Sequence, residues 1–246
     1  MTTAVQLDID DAVADANRPR LLDLFCCGGG AGHGYQLAGW HVTGVDIQPQ
    51  PRYCGDRFVQ ADALEYLAAH WHEYDAFHGS PPCQKYTPLN AYNQLDYPDL
   101  VAPTRDLLRA TGRPWVIENV PQAPLIDPAI LCGSMFDLPV YRHRGFESNV
   151  PLDPPPHPAH LALCARNGYL PTAERPFMSI HGGRHSIAWQ HAACDAMGTP
   201  WLKVPAGGDR EAAIREVCEA IPPKFTRWIG TRLLAALPAL DPARST

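Results

Sequence analysis

The chain has 246 residues, of which 46% are hydrophobic and 19% are charged, and these values are typical of a single domain with one substantial core. No run of about 18 apolar residues occurs, which argues against a membrane-spanning helix. The first residues lack the basic and apolar stretches of a signal peptide, and the eight cysteines include no Cys-x-x-Cys pair of the kind that binds zinc. We therefore expect a cytoplasmic protein with reduced thiols, no membrane partner and no bound metal.

The net charge of −6 is concentrated at the N-terminus. Residues 1–17 contain four aspartates and no basic residue, and these aspartates are Asp8, Asp10, Asp11 and Asp15. We predict that residues 1–17 form a disordered acidic tail. The rest of the chain is close to neutral, and its local basic clusters are compatible with a phosphate backbone as partner.

Apolar segments that suit strands alternate with helical segments from position 20 onwards. The predicted strands cover residues 20–25, 41–46, 57–62, 75–80 and 114–120. The predicted helices cover residues 34–39, 63–70 and 98–110. This alternation is typical of an α/β fold with βαβ units and a parallel sheet. Ligands bind such a sheet at the carboxyl ends of its strands, where several polar side chains of this chain fall.

The second half of the chain holds most of the 26 prolines, and we expect it to be rich in loops. Five of them interrupt one short stretch and preclude a regular helix there, namely Pro151, Pro154, Pro155, Pro156 and Pro158. We predict a core at residues 18–147, a small loop-rich region at residues 148–200 and a helical segment at residues 201–246.

A glycine cluster at positions 28–32 follows the first predicted strand, and acids end the next two strands. The glycines allow close approach of the backbone to a ligand, although a plain strand-to-helix turn explains them equally well. Asp46 suits a ribose diol, and Asp62 suits an adenine amino group as acceptor. No Lys-Ser/Thr pair follows the glycines, which excludes a P-loop. The pattern favours an adenosyl ligand.

Two further strand ends carry candidate catalytic groups. Cys83 lies on a proline-stiffened loop and is a candidate nucleophile, or else an ordinary buried thiol. Glu118 ends an apolar strand, where a carboxylate is costly unless it is paired or used, and the alternative is a solvated acid. Arg142 and Arg144 share one face at strand spacing, which suits a carbonyl or phosphate ligand or, alternatively, a solvated edge strand.

Three of these motifs, in this order, resemble those of the DNA (cytosine-5)-methyltransferase family. They are Leu22-Asp23-Leu24-Phe25 with the following glycines, Gly79-Ser80-Pro81-Pro82-Cys83-Gln84 and Ile117-Glu118-Asn119-Val120. The Arg142-His143-Arg144 segment resembles the family's Arg-x-Arg motif, and residues 219–223 with 228–230 resemble its C-terminal motif. The short length resembles the compact members found in bacteriophages.

The resemblance implies a Rossmann-like S-adenosylmethionine-dependent methyltransferase fold with a mostly parallel sheet. Residues 148–200 would then be the target-recognition region, and residues 201–246 would return to the core. The implied cofactor-binding residues are Phe25, Gly29, Gly30, Asp46, Ile47, Asp62 and Pro82. Asp46 would bind the ribose, Asp62 the adenine amino group, and Ile47 would pack on the adenine ring, while Pro82 would shape the loop beside the cofactor.

The same resemblance implies a covalent mechanism on double-stranded DNA. Cys83 would attack carbon 6 of a flipped cytosine, Glu118 would hold the ring at N3, and Arg144 would reach O2 together with Arg142. The methyl group would pass from S-adenosylmethionine to carbon 5.

The chain departs from the family pattern at Cys27, Val140 and Glu219, where the family commonly has glycine, glutamine and asparagine. These departures leave a modified S-adenosylmethionine open as the donor. The short recognition region leaves a cytosine acceptor other than DNA open. A non-catalytic DNA-binding module with the same fold is the third alternative.

Overall fold

The computed structural model describes residues 17–87, 90, 92, 95–166 and 168–238. The predicted acidic tail, apart from its last residue, lies outside the described residues. The strands are β1 (Arg20–Leu24), β2 (His41–Asp46), β3 (Arg57–Gln60), β4 (Ala76–Gly79), β5 (Trp115–Asn119), β6 (Ala129–Leu131) and β7 (Arg144–Ser148). The helices are α1 (Gly30–Leu37), α2 (Ala63–His70), α3 (Val101–Ala110), α4 (Ile187–Met197), α5 (Arg210–Glu219) and α6 (Pro223–Ala235).

The described strands form one sheet in the order β3-β2-β1-β4-β5-β7-β6. Strands β1 to β5 are parallel, whereas β7 runs antiparallel to both β5 and β6. This architecture confirms the predicted fold class, a Rossmann-like sheet with flanking helices. Strand β7 lies inside the sheet, so the edge-strand reading of the segment around Arg144 is wrong.

Apolar strands are buried on both faces by helices, as parallel sheets require. Strands β4 and β5 are buried along their whole length. One core cluster includes Tyr35, Trp40 and Phe225, and the other includes Leu22 and Phe77. No helix among the described residues has the length and apolarity needed to cross a membrane.

The C-terminal helix α6 packs against α1 beside the first glycine turn. Thr226 Oγ1 donates a hydrogen bond to the Ala31 carbonyl at 2.8 Å, and Trp40 Nε1 donates to the Gly230 carbonyl at 3.0 Å. A Cβ at Gly34 would clash with the Pro223 carbonyl oxygen, so only glycine permits this approach of the two helices. Residues far apart in sequence thereby support the turn that follows β1.

Helix α4 corrects the prediction that the whole of residues 148–200 is loop-rich. The stretch from 149 to 186 has no helix and only isolated bridges among its described residues, but α4 covers Ile187–Met197. The Ser186 side chain caps its first turn by accepting from the Trp189 amide, and Gly198 ends it at a φ of 75°. Prolines dominate the composition of the region but are absent from this segment, and its Ser and Gly boundaries are typical helix caps.

Candidate active site

A cleft of about 800 Å³ lies at the carboxyl ends of the parallel strands. The predicted site residues that line it are Phe25, Gly30, Asp46, Ile47, Asp62, Pro82, Cys83, Glu118 and Arg144. The cleft adjoins the point where the strand order reverses between β1 and β4, which is the usual ligand site of such sheets. Its volume falls within the roughly 300–1,000 Å³ of small-molecule sites.

Two carboxylates and one apolar side chain occupy the end of the cleft at β2 and β3. Asp46 is buried, and its two oxygens accept from the amides of Cys27 and Gln48 at 3.0 and 2.9 Å. Each carboxylate oxygen has a second lone pair, so Asp46 can still accept from a ligand hydroxyl. Asp62 caps α2 through Oδ1 alone, and Ile47 beside it is 62% exposed. This end of the cleft therefore offers two carboxylate acceptors and one exposed apolar side chain to a ligand.

In the turn between β1 and α1, two residues other than glycine have a left-handed backbone conformation. The φ angles are 58° at Phe25 and 46° at Cys27. Such a conformation costs about 1–3 kcal/mol for a residue other than glycine. The hydrogen bond from the Cys27 amide to Asp46 stabilises it. Glycine is common at the position of Cys27 in the family that the motifs resemble. Cys27 adds a side chain there, but its backbone has the conformation that glycine favours.

Gly29 is placed behind the turn and is not among the residues that line the cleft. Its φ is 83°, and an added Cβ would lie 3.0 Å from Cys54 Sγ. The glycine therefore permits the turn to pack on the segment around Cys54. Of the two glycines for which the resemblance implies contact with the cofactor, the structure places Gly30 in the cleft lining and Gly29 outside it.

The loop that carries Cys83 is held between two strands. The Ser80 amide donates to the Leu24 carbonyl at 3.1 Å, and Asn119 Nδ2 donates to the Pro81 carbonyl at 2.8 Å. The thiol is half-buried at the cleft wall, just before a short 3₁₀ turn at Gln84–Tyr86. These bonds and the two prolines fix Cys83 relative to the end of β5, where Glu118 lies.

Glu118 and Arg144 form an ion pair because β5 and β7 are aligned. The register pairs Asn119 with Gly145, which brings Arg144 Nε to 2.9 Å from Glu118 Oε1. The N–H and this oxygen are not aligned as a hydrogen bond, and Oε1 has no hydrogen-bond partner among the described residues although it is buried. The Arg144 guanidinium offsets its charge, but a buried acceptor without an aligned donor keeps part of its desolvation cost, and here it belongs to a residue that lines the cleft. A ligand that donates to Oε1 would remove that cost.

The charged forms of both central groups are disfavoured by burial. Burial raises the pKa of Glu118, and Arg144, Ser80 and Arg142 oppose that rise only in part. Burial and then the Glu118 carboxylate raise the pKa of the Cys83 thiol, while Arg144 and Arg142 lower it. At neutral pH the thiol therefore holds its proton, and the shift in the pKa of Glu118 favours its protonated form.

A buried hydrogen-bonded chain behind Glu118 was not predicted from the sequence. Tyr35 Oη lies 2.9 Å from His78 Nδ1, and His78 Nε2 lies 2.8 Å from Ser80 Oγ. The chain ends at Ser80, whose side chain also lowers the pKa of Glu118. Burial lowers the pKa of His78 to about 3, so the ring is neutral. The available clue was one histidine within the otherwise apolar, fully buried strand β4.

Asp23 belongs to the motif Leu22-Asp23-Leu24-Phe25, and no role was predicted for it from the sequence. It lies in β1, lines the cleft and is fully buried, and neither carboxyl oxygen has a hydrogen-bond partner in the described structure. Burial, followed by the nearby Asp46, raises its pKa to about 8. Its position inside an apolar strand was the clue, because a carboxyl group there is costly unless a ligand uses it.

Arg142 does not line the cleft, unlike its neighbour Arg144. It is buried and donates to the carbonyls of Ile180 and Cys218 at 3.3 and 2.5 Å. These bonds tie the chain before β7 to the loop region and to α5. The structure thus separates the two arginines, and the part predicted for Arg142 at the substrate is not supported by its placement.

The fold is that of the Rossmann-like methyltransferases, as comparison with solved structures shows. A protein described as a DNA modification methyltransferase encoded within a prophage (E. coli) has a TM-score of 0.61 at 14% identity, with 88% of this chain and 99% of that chain covered. The S. pombe Dnmt2 methyltransferase gives 0.61 at 14% identity, with 89% and 99% covered. The Entamoeba histolytica methyltransferase EhMeth gives 0.61 at 11% identity, with 91% and 100% covered.

No protein-family model matches the sequence, and no curated protein matches it. The similarity to solved structures therefore confirms the resemblance inferred from the motifs at the level of the fold. The identities of 11–14% carry no residue roles across, so the roles of the cleft residues depend on the geometry described above.

Proposed function

We propose that the protein is a DNA cytosine methyltransferase that transfers a methyl group to carbon 5 of a flipped cytosine through a covalent Cys83 adduct. The observation that carries the proposal is the convergence of Cys83, Glu118 and Arg144 on one cleft wall, with Glu118 Oε1 buried and without a hydrogen-bond partner among the described residues. This chemistry needs a nucleophile, an acid and a cation next to the methyl donor, and the carboxylates of Asp46 and Asp62 lie at the other end of the same cleft.

The cleft fits S-adenosylmethionine as methyl donor because its walls are rich in acids. Asp23 is neutral at its raised pKa of about 8, Glu118 pairs with Arg144 and Glu216 with Arg52. The remaining lining carboxyl groups belong to Asp46, Asp62 and Glu219, against the guanidinium group of Arg215. Such a cleft favours a cationic ligand. S-adenosylmethionine supplies an electrophilic methyl group on a positively charged sulfur. Asp46 would accept from the ribose hydroxyls and Asp62 from the adenine amino group, with Ile47 packed on the ring.

The protein residues would then act in sequence on the pyrimidine. The Cys83 thiol releases its proton to solvent and its sulfur adds to carbon 6, which loads electron density onto carbon 5. Glu118 donates a proton to N3 and neutralises the charge there, a task that its raised pKa suits. Arg144 hydrogen-bonds O2 of the base. After carbon 5 has taken the methyl group, the carbon-5 proton passes to solvent, N3 returns its proton to Glu118 and the Cys83 thiolate is eliminated. Uptake of a proton from solvent by that thiolate restores the free enzyme.

Duplex DNA is the substrate we propose, and the loop-rich region is its recognition element. The DNA modification methyltransferase among the structural neighbours supports this choice. The segment from 149 to 186 carries three arginines against two acids, and Arg184 within it is exposed. The carbon to be methylated is inaccessible in a stacked duplex, so the base must leave the helix to reach Cys83.

Replacement of Cys83 tests the proposal. Cys83→Ala should abolish methyl transfer to duplex DNA while S-adenosylmethionine binding, measured by calorimetry, persists, because the thiol is the only covalent contact with the base. Cys194→Ala, a buried core thiol outside the cleft, serves as the control and should keep wild-type turnover.

Two further assays separate the alternatives. Wild-type protein should form a covalent adduct with duplex DNA that contains 5-fluorocytosine, and Cys83→Ala should form none. Comparison of duplex DNA, RNA and deoxycytidine monophosphate as acceptors should favour the duplex. Wild-type turnover of Cys83→Ala would refute the covalent route, and absence of any adduct or product with the wild type would favour a non-catalytic DNA-binding module.

A further inference from the structure

Four side chains with metal-binding donor atoms converge outside the cleft. They belong to Cys132, His143, His157 and His160, which we call the cysteine-histidine cluster. The sulfur and the three ring nitrogens all lie within 4.8 Å of one another. One thiolate and three imidazoles form a ligand set that suits Zn²⁺, and four protein ligands are typical of a structural site rather than a catalytic one.

The spacing of the donor atoms is close to that around a tetrahedral zinc ion. Cys132 Sγ lies 3.4 Å from His160 Nε2, and His143 Nε2 lies 3.1 Å from His157 Nε2. With Zn–N and Zn–S bonds of about 2.1 and 2.3 Å, the edges of the tetrahedron measure about 3.4 Å between nitrogens and about 3.6 Å between sulfur and nitrogen. The remaining pairs of donor atoms lie no more than 4.8 Å apart, and the exposed rings of His157 and His160 have room to approach these values.

Neighbouring groups hold the ligands in place. Ser134 Oγ donates to Cys132 Sγ at 3.3 Å, which would stabilise a thiolate, and Cys132 itself is buried. The Tyr141 ring stacks on His160 with centroids 3.7 Å apart, and its hydroxyl donates to the Ala162 carbonyl. Contacts of this kind orient metal ligands and raise the affinity of the site.

The cluster joins segments that otherwise share little regular structure. Cys132 follows β6, and His143 directly precedes β7 between the two arginines of the predicted Arg-x-Arg motif. His157 and His160 belong to the proline-rich stretch that forms neither helix nor strand. A single ion bound here would cross-link that stretch to the β6–β7 pair, one residue away from Arg144.

We propose that the cysteine-histidine cluster binds one Zn²⁺ ion and fixes the proline-rich segment to the β6–β7 pair. Binding forms one Zn–S and three Zn–N bonds and releases the Cys132 thiol proton to solvent. The proposal revises the expectation of a metal-free protein. That expectation depended on the absence of a Cys-x-x-Cys pair, whereas these ligands are spread over 29 positions and contain a single cysteine.

Metal content and a cobalt spectrum test the proposal without any assay of activity. The purified chain, treated with chelator and then dialysed against Zn²⁺, should retain about one zinc per chain by mass spectrometry of the metal. Co²⁺ in place of Zn²⁺ should give intense tetrahedral d–d bands and a thiolate-to-cobalt charge-transfer band. His157→Ala/His160→Ala should lose both the stoichiometric metal and these bands.

A matched double variant controls for weak binding at surface histidines. His70→Ala/His72→Ala removes two histidines from the end of α2, far from the cluster in sequence, and should keep both the metal and the spectrum. His157 and His160 are exposed, so their replacement leaves no cavity, and far-UV circular dichroism checks that both variants fold. The chelated wild type should also be cut faster by protease within residues 149–165.

Three results would overturn the proposal. The first is less than a tenth of an equivalent of zinc in the wild type under these conditions. The second is equal metal retention by the wild type and His157→Ala/His160→Ala. The third is a cobalt spectrum without the thiolate band, which would remove Cys132 from the site. None of these outcomes depends on whether the cleft methylates DNA.

Discussion

The two ends of the cleft are built in different ways. At the β1–β2 end, the backbone sets the shape of the wall. Phe25 and Cys27 have positive φ angles, and the amides of Cys27 and Gln48 donate to Asp46. At the β4–β5–β7 end, buried polar side chains support one another, as in the pair of Glu118 with Arg144.

This contrast between the two ends of the cleft predicts where substitutions lower activity or stability most. The residues that donate backbone amides to Asp46 tolerate changes of their own side chains, since every residue except proline has such an amide. A network of buried charged groups does not, because removal of one member leaves another unpaired in a low dielectric. We therefore expect effects to fall in size from the β5 end of the cleft towards the first turn.

The largest effect in this comparison is expected at Glu118. Glu118→Gln should lower kcat by about 10²- to 10⁴-fold with duplex DNA, since the amide cannot donate a proton to N3. S-adenosylmethionine binding should change little, because the other carboxylates of the cleft remain. Single-turnover kinetics measure the chemical step. Glu211→Gln, an exposed acid in the first turn of α5, is the control and should keep the wild-type rate. Equal rates for the two variants would show that Glu118 does not supply the proton to N3.

An intermediate effect, on stability, is expected at Asp23 between the two ends. Its folded-state pKa is raised to about 8, so between pH 4 and pH 8 the folded chain keeps a proton that the unfolded chain has lost, and stability falls as the pH rises. Asp23→Asn removes this dependence. Its free energy of unfolding relative to the wild type should therefore rise by about 2–3 kcal/mol from pH 5 to pH 7.

Urea denaturation at the two pH values measures this difference. Asp153→Asn, on the exposed proline-rich segment, should show no such change relative to the wild type. A parallel pH response of the wild type and Asp23→Asn would show that Asp23 is already ionised in the folded protein, and the Asp23 carboxyl group would then need a cationic partner.

The smallest effect is expected at Cys27 in the first turn. With φ at 46°, glycine should be tolerated better than alanine, so Cys27→Gly should be at least as stable as Cys27→Ala and exceed it by up to about 1 kcal/mol. Thermal unfolding of the two variants measures the difference directly. The reverse order would mean that packing of the side chain, and not the backbone angle, decides this position.

Much of the parallel half of the fold was predictable from local sequence. The helix over residues 63–70 and the strand over residues 41–46 have the predicted bounds. A capping Asp precedes the helix, and the strand begins shortly after a glycine and ends in an acid. Strand β6 and helix α4 were not predicted. Strand β6 has three residues, too few for a period to show, and α4 follows a stretch whose prolines dominate the composition of the whole region.

The candidate site divides in the same way. Asp46, Cys83 and Glu118 were predictable because parallel strands deliver their carboxyl ends to one edge of the sheet. The neutral His78 and the separate placement of Arg142 and Arg144 were not. They depend on which groups burial brings together, and no spacing in the chain encodes that.

Local sequence specifies the alternation of strands and helices, the order of the polar strand ends and the backbone angles of the turns. Each of these features depends on neighbours within a few residues. The tertiary structure alone decided that Arg144 reaches Glu118 while Arg142 does not, and that one cysteine and three distant histidines meet. Antiparallel pairing of β7 and the path of an irregular segment set those contacts, and both follow from packing of the whole chain.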